Sequence, residues 1–150
     1  MKTVGATLTA VLLSAVSALS APPSDRAAVE AVVREAYVEG VHAKPDPAAM
    51  RRGFHADFRM LVLREGRMQA VTLDEWATRL EKAVAERKAG APRPEVRADF
   101  TNVDVTENAA TVRLELHRDG RHVFTDYLSL YRFPEGWRIV AKTFYAHPEE

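Results

Sequence analysis

From Phe124 to Phe144 the chain reads as an alternating apolar and polar run ending in Phe133, the turn residues Pro134, Glu135 and Gly136, and a second alternating run opening at Trp137. Such a pattern dictates an antiparallel β-hairpin. Side chains alternate between the two faces of a strand, so a one-residue slip in pairing exchanges the faces. The charges of Asp126 and Lys142 lie inside this pattern, and register decides whether they face water or the core.

The neighbouring segments supply the rest of an α+β domain. Ser24 is placed to cap a helix whose residues Val29, Val32, Val33, Ala36, Tyr37 and Val41 recur at the spacing of one face, ending near Gly40. A short helical turn over Ala48 to Gly53 and a strand from about Phe58 to Arg64 follow. Glu65-Gly66 reads as a turn, and Arg67 to Val71 as a returning strand. Thr72 to Glu75 matches a capping box, predicting a third helix with Trp76, Leu80, Ala83 and Val84 on one face, running until Gly90. Beyond Arg93 the texture becomes strands near 95–106, 109–118, 121–132 and 137–146. Helices first and a meander afterwards predict helices covering one face of a curved, mostly antiparallel sheet.

These pieces resemble the nuclear-transport-factor-2-like (SnoaL-like) superfamily, and within it the group that carries a lumazine-binding label. The resemblance rests on Tyr37 to Gly40, Phe54 to Asp57, Asn108 to Ala110, Asp126 to Leu130 and Trp137 to Lys142, in the expected order across about residues 25–146. It implies a cone-shaped fold that elsewhere hosts isomerases, dehydratases, cyclases and binding modules, and it implies dimerisation through the sheet. Fold alone selects none of these activities.

Register is open to two readings at the turn before Arg121. With Gly120 in a left-handed bulge, Val112, Leu114 and Leu116 share a face with His122, Phe124, Asp126, Leu128 and Leu130. With a plain two-residue Asp119-Gly120 turn, those residues would instead join Thr125, Tyr127 and Ser129. Only the bulged arrangement gathers the apolar side chains, so it is the expected one. The same reasoning, with Pro134 at the second turn position and Gly136 in the bulge, pairs Phe133 with Trp137. It puts Val140, Lys142 and Phe144 on the face of Asp126. Asp126 and Lys142 then become diagonal cross-strand neighbours. The other face is expected to carry Tyr127, Ser129, Tyr131, Trp137, Ile139, Ala141, Thr143 and Tyr145, an aromatic surface suited to a homodimer.

A paired carboxylate and ammonium on an apolar face make either a structural ion pair or a site. The candidate catalytic residues are therefore Asp126, as a base, and His55. The candidate ligand-binding residues are Tyr37, Trp76, Phe124, Lys142 and Phe144. The resemblance adds a possible oxyanion-donor role for Tyr37. His117 and His122 flank a turn, but no third ligand stands at a recognisable spacing, so no metal site is expected. No cofactor motif is present, and Arg51, Arg52, Arg118 and Arg121 read as solvated surface.

Lys2 followed by an uncharged run to Ser20 predicts a cleaved signal peptide over residues 1–20, leaving residues 21–150 as a single domain without a stable membrane anchor. Export to the periplasm or the extracellular space is expected. Without cysteine, that domain depends on packing. The 21 Lys+Arg balance 21 Asp+Glu, which argues against a nucleic-acid partner. Three functions remain: binding of a small, largely apolar molecule in the cone, cofactor-free acid–base catalysis of isomerase or dehydratase type, or a non-catalytic structural or interaction module.

Overall fold

The computed structural model describes residues 24–149, so the signal peptide expected over residues 1–20 lies outside the described residues. Ser24 caps the first helix, its hydroxyl accepting from the Ala27 amide at 3.3 Å. Helix α1 (Asp25–Val32) runs directly into a π-helical segment, Val33–Ala43. The helical path therefore passes Gly40, where the sequence predicts its end. Asp46 caps α2 (Pro47–Gly53) by accepting from the Ala48 and Ala49 amides. The capping box at α3 (Leu73–Ala85) forms as expected, Thr72 accepting from the Glu75 amide and Glu75 from the Thr72 amide. Its buried face is Leu73, Ala77 and Leu80, with Trp76 half-buried beside it. Ala83 and Val84, expected on that face, are exposed, and the helix stops short of Gly90.

Six strands form one open, mixed sheet: β1 (Phe54–Arg64), β2 (Arg67–Thr72), β3 (Val96–Thr106), β4 (Ala109–Arg118), β5 (Arg121–Phe133) and β6 (Gly136–Ala146). Their order is β2-β1-β6-β5-β4-β3, with β1 parallel to β6 and every other neighbour antiparallel. The helices lie on one face of the sheet, and the core forms between the two layers. Val29, Val33 and Tyr37 from the first helix meet Val112, Leu114, Leu116, Leu128, Leu130 and Ile139 from the sheet. Burying each such aliphatic side chain contributes roughly 1.5–3 kcal/mol. The layer is thus stable enough to carry a few buried polar groups.

Both hairpins are bulged, though neither at its glycine. Arg118 pairs with Arg121 across a two-residue Asp119-Gly120 turn, and both turn residues have positive φ, the mirror-image conformation that suits strand twist. The extra residue is Val123, because His117 faces His122 while Leu116 faces Phe124. Phe124, Asp126, Leu128 and Leu130 therefore join the β4 leucines as expected, but His122 moves to the outer face. In the second hairpin Phe133 pairs with Gly136, rather than with Trp137, and the bulge falls at Val140. Ile139 opposes Leu130, and Ile139 and Trp137 are buried in the core instead of facing outward. After Val140 the phase returns to the expected one, with Leu128 opposite Lys142 and Asp126 opposite Phe144.

Candidate functional site

Asp126 is fully buried and Lys142 is 4% exposed, yet both are charged residues in an apolar layer. As diagonal neighbours on β5 and β6 they meet as an ion pair, Lys142 Nζ lying 2.5 Å from Asp126 Oδ1. The other carboxylate oxygen, Oδ2, accepts from the Tyr37 hydroxyl at 2.7 Å. Three sequence-selected residues from three elements thus form one chain of contacts. Burial first, and then the charge and hydrogen bond of Asp126, push the Tyr37 hydroxyl well above its ordinary pKa, so it remains a donor. Burial pulls the Lys142 ammonium below its ordinary value, and Asp126 works against that pull. Aromatic faces also compensate the cation: Lys142 Nζ is 4.0 Å from the Phe144 ring centroid, 5.2 Å from Tyr37 and 5.7 Å from Phe124.

Trp76 completes the aromatic wall, its ring centroid 5.6 Å from Phe54, 5.8 Å from Phe58 and 6.2 Å from Tyr37. Trp76, Phe124 and Phe144 are each half-buried, so this end of the interior is covered by side chains and not by backbone.

Two members of the site escape a reading by spacing alone. The π-helical backbone bonds residue i to i+5, the Lys44 amide donating to the Glu39 carbonyl at 2.8 Å. This winding sets residues five apart above one another. His42 accordingly sits on Tyr37, with ring centroids 4.8 Å apart in an edge-to-face arrangement. Arg118, expected on the surface, reaches inward so that its Nη2 donates to His42 Nδ1 at 3.1 Å. A guanidinium only donates, so Nδ1 is the acceptor and Nε2 of the neutral ring carries the proton. Burial, together with the charges of Arg118 and Lys142, lowers the His42 pKa to about 3. His42 Nε2 and Arg118 Nε are both buried without a hydrogen-bond partner among the described residues. The site therefore holds two cations, one carboxylate and two unused donors.

His55 does not join it. Its Nδ1 accepts from the Asp57 amide at 3.1 Å, and its ring stacks on Phe133 with centroids 4.6 Å apart. Phe133 lies seven residues along β5 from Asp126, roughly 23 Å at the rise of a strand. The hairpin histidines His117 and His122 are half-buried, and the fold brings Glu115 and His147 to His122.

The architecture is that of nuclear-transport-factor-2-like proteins. Such a protein from Silicibacter pomeroyi matches with a TM-score of 0.64 at 25% identity, over 81% of this chain and 94% of that one. One from Shewanella baltica gives 0.66 at 22% identity, over 82% and 94%, and one from Methylobacillus flagellatus gives 0.62 at 18%, over 85% and 96%. All three are described as being of unknown function, and they bear on the fold alone. The family model described as "Putative lumazine-binding" matches residues 24–145, and the chain belongs to that family. No curated protein matches it.

Proposed function

We propose that this protein binds a small, largely apolar molecule bearing an anionic or hydrogen-bond-accepting group, held between the first helix and the sheet beside Lys142. The observation that carries the reading is the pair of buried donors, His42 Nε2 and Arg118 Nε, left without partners in a cluster whose charge is net positive. Buried polar atoms in folded proteins are nearly always satisfied, so an acceptor belongs beside them. The apolar part of the ligand would lie against Trp76, Phe124 and Phe144, whose side chains must move to admit it. A few placed polar groups in an aromatic wall are what small-molecule sites use. The family description supports a small-molecule ligand.

Acid–base catalysis is the weaker reading because Asp126 is fully buried and its two oxygens are engaged by Tyr37 and Lys142. A general base must reach the proton it removes.

Native mass spectrometry of the gently purified protein, followed by thermal shift with lumazine and a panel of aromatic carboxylates, tests the proposal. A bound molecule or a clear rise in melting temperature is expected, weakened at least tenfold in affinity by Trp76→Ala. A bare chain that no probe stabilises would leave the structural-module reading.

We also propose that the protein acts outside the cytoplasm after losing residues 1–20, and that it forms a homodimer through the outer sheet face. The intact mass of the chain expressed with its own N-terminus should correspond to a start at Ala21. Retention of Met1 would sink the export proposal.

A further inference from the structure

On the outer face of the sheet, at the end where β4 turns into β5, Glu115, His122 and His147 converge. Their ligand-capable atoms all lie within 4.8 Å of one another. Each arrives for a stated reason. Glu115 and Thr125 are directly opposed across β4 and β5, and His122 precedes the bulge at Val123, which swings it to their face. The amide of His147, just past β6, donates at 3.0 Å to the Val123 carbonyl. The bulge thereby ties the two imidazoles together, their ring centroids 3.7 Å apart.

We propose that Glu115, His122 and His147 bind a divalent transition metal of the zinc class. Two imidazoles and one carboxylate are a recurrent zinc ligand set, and three protein ligands leave a fourth position for water or an exogenous group. Here that position opens to a concavity of about 630 Å³ lined by Gly120, Arg121, His122, His147 and Pro148. His122 Nε2 lies 2.7 Å from Glu115 Oε2, so one ion could reach both atoms. Tetrahedral ligands about 2.1 Å from zinc stand roughly 3.4 Å apart. The closest pair must open and the widest must close, both within reach of side-chain rotation.

The surrounding groups suit the role. Thr125 Oγ1 contacts Glu115 Oε2 at 2.5 Å and His147 Nε2 at 3.0 Å, holding both ligands in place. Arg113 engages the other carboxylate oxygen at 2.5 Å, and His117 stacks on His122 with centroids 4.7 Å apart. Burial acts to raise the Glu115 pKa, but Thr125, Arg113 and His122 together hold it below its ordinary value. His122 Nε2 also lies 3.1 Å from the Phe124 carbonyl, and metal binding at Nε2 would replace that hydrogen bond.

The test uses untagged protein titrated with Zn²⁺ and with Co²⁺. Zn²⁺ should raise the melting temperature, and Co²⁺ should develop the visible absorption of a four-coordinate site. Mg²⁺ and Ca²⁺ should do neither, since they prefer all-oxygen ligands. Binding should weaken at least tenfold in His122→Ala, His147→Ala and Glu115→Gln. His147 lies beyond the last strand, so its variant keeps the fold even if His122→Ala is destabilised. A Co²⁺ titration without visible absorption, or undiminished binding in His147→Ala, would overturn the site and leave an aromatic–carboxylate stack.

Discussion

Asp126 and Lys142 are worth more as a pair than as two residues. Asp126→Asn keeps an acceptor for Tyr37 but strands a cation that is 4% exposed. Breaking a buried pair from one side costs about 3–5 kcal/mol. Adding Lys142→Met removes the stranded charge, and most of that loss should return in a denaturant-unfolding cycle. Strict additivity of the two single losses would mean the ion pair is not coupled. His42 makes a separate prediction. Its pKa is about 3 folded, against 6.5 for an ordinary histidine, so below pH about 6.5 the unfolded chain binds a proton that the folded chain excludes. Stability must then fall as pH falls, at a slope approaching about 1.4 kcal/mol per pH unit. His42→Gln cannot take up that proton. Between pH 7 and pH 4 its stability should gain on the parent's by about 2–3 kcal/mol, whereas parallel curves would show that His42 is not buried neutral.

At the scale of elements, Gly53 decides how closely α2 approaches the first helix. A Cβ on Gly53 would stand 2.2 Å from the Ala36 Cβ, inside any real contact distance. Gly53→Ala should therefore cost about 1–3 kcal/mol by overpacking, and Ala36→Gly in the same chain should recover part of it. A thermally neutral Gly53→Ala would show that the two helices separate freely. The sequence makes some of this level plain and conceals the rest. The caps at Ser24 and Thr72 use local hydrogen bonds, so their residues announce them. The Asp126 and Lys142 register was legible because only one phase gathers the β4 leucines. The bulges at Val123 and Val140 were not legible, since nothing in a valine marks an unpaired position and the glycines at the turns offered a nearer choice. That displacement is why His122 was expected inside and Trp137 outside. The π-helical winding likewise has no local signature, and His42 was missed with it.

For the whole molecule, the unsettled surface is the outer sheet face. With Trp137 and Ile139 turned into the core, it is less aromatic than the alternation suggested, but Tyr127, Tyr131 and Tyr145 remain 49%, 50% and 58% exposed. Between the strands there lies a groove of about 360 Å³ lined by Thr111, Arg113, Tyr127, Ser129, Ala141 and Thr143 among others. Tyrosines beside a largely apolar groove edged by Thr111, Arg113 and Ser129 suit an interface with an apolar centre and hydrogen bonds around it. A second copy would present the same tyrosines about a two-fold axis, each set facing the other's groove. Net charge near zero imposes no long-range repulsion between the copies. Light scattering should accordingly give twice the chain mass, and Tyr127→Glu with Tyr131→Glu should give the single mass with little change in melting of the monomer. Both side chains are half exposed, so the variant tests the interface without disturbing the core. A parent protein that stays monomeric at high concentration would refute the dimer, leaving the groove to a smaller ligand or to none.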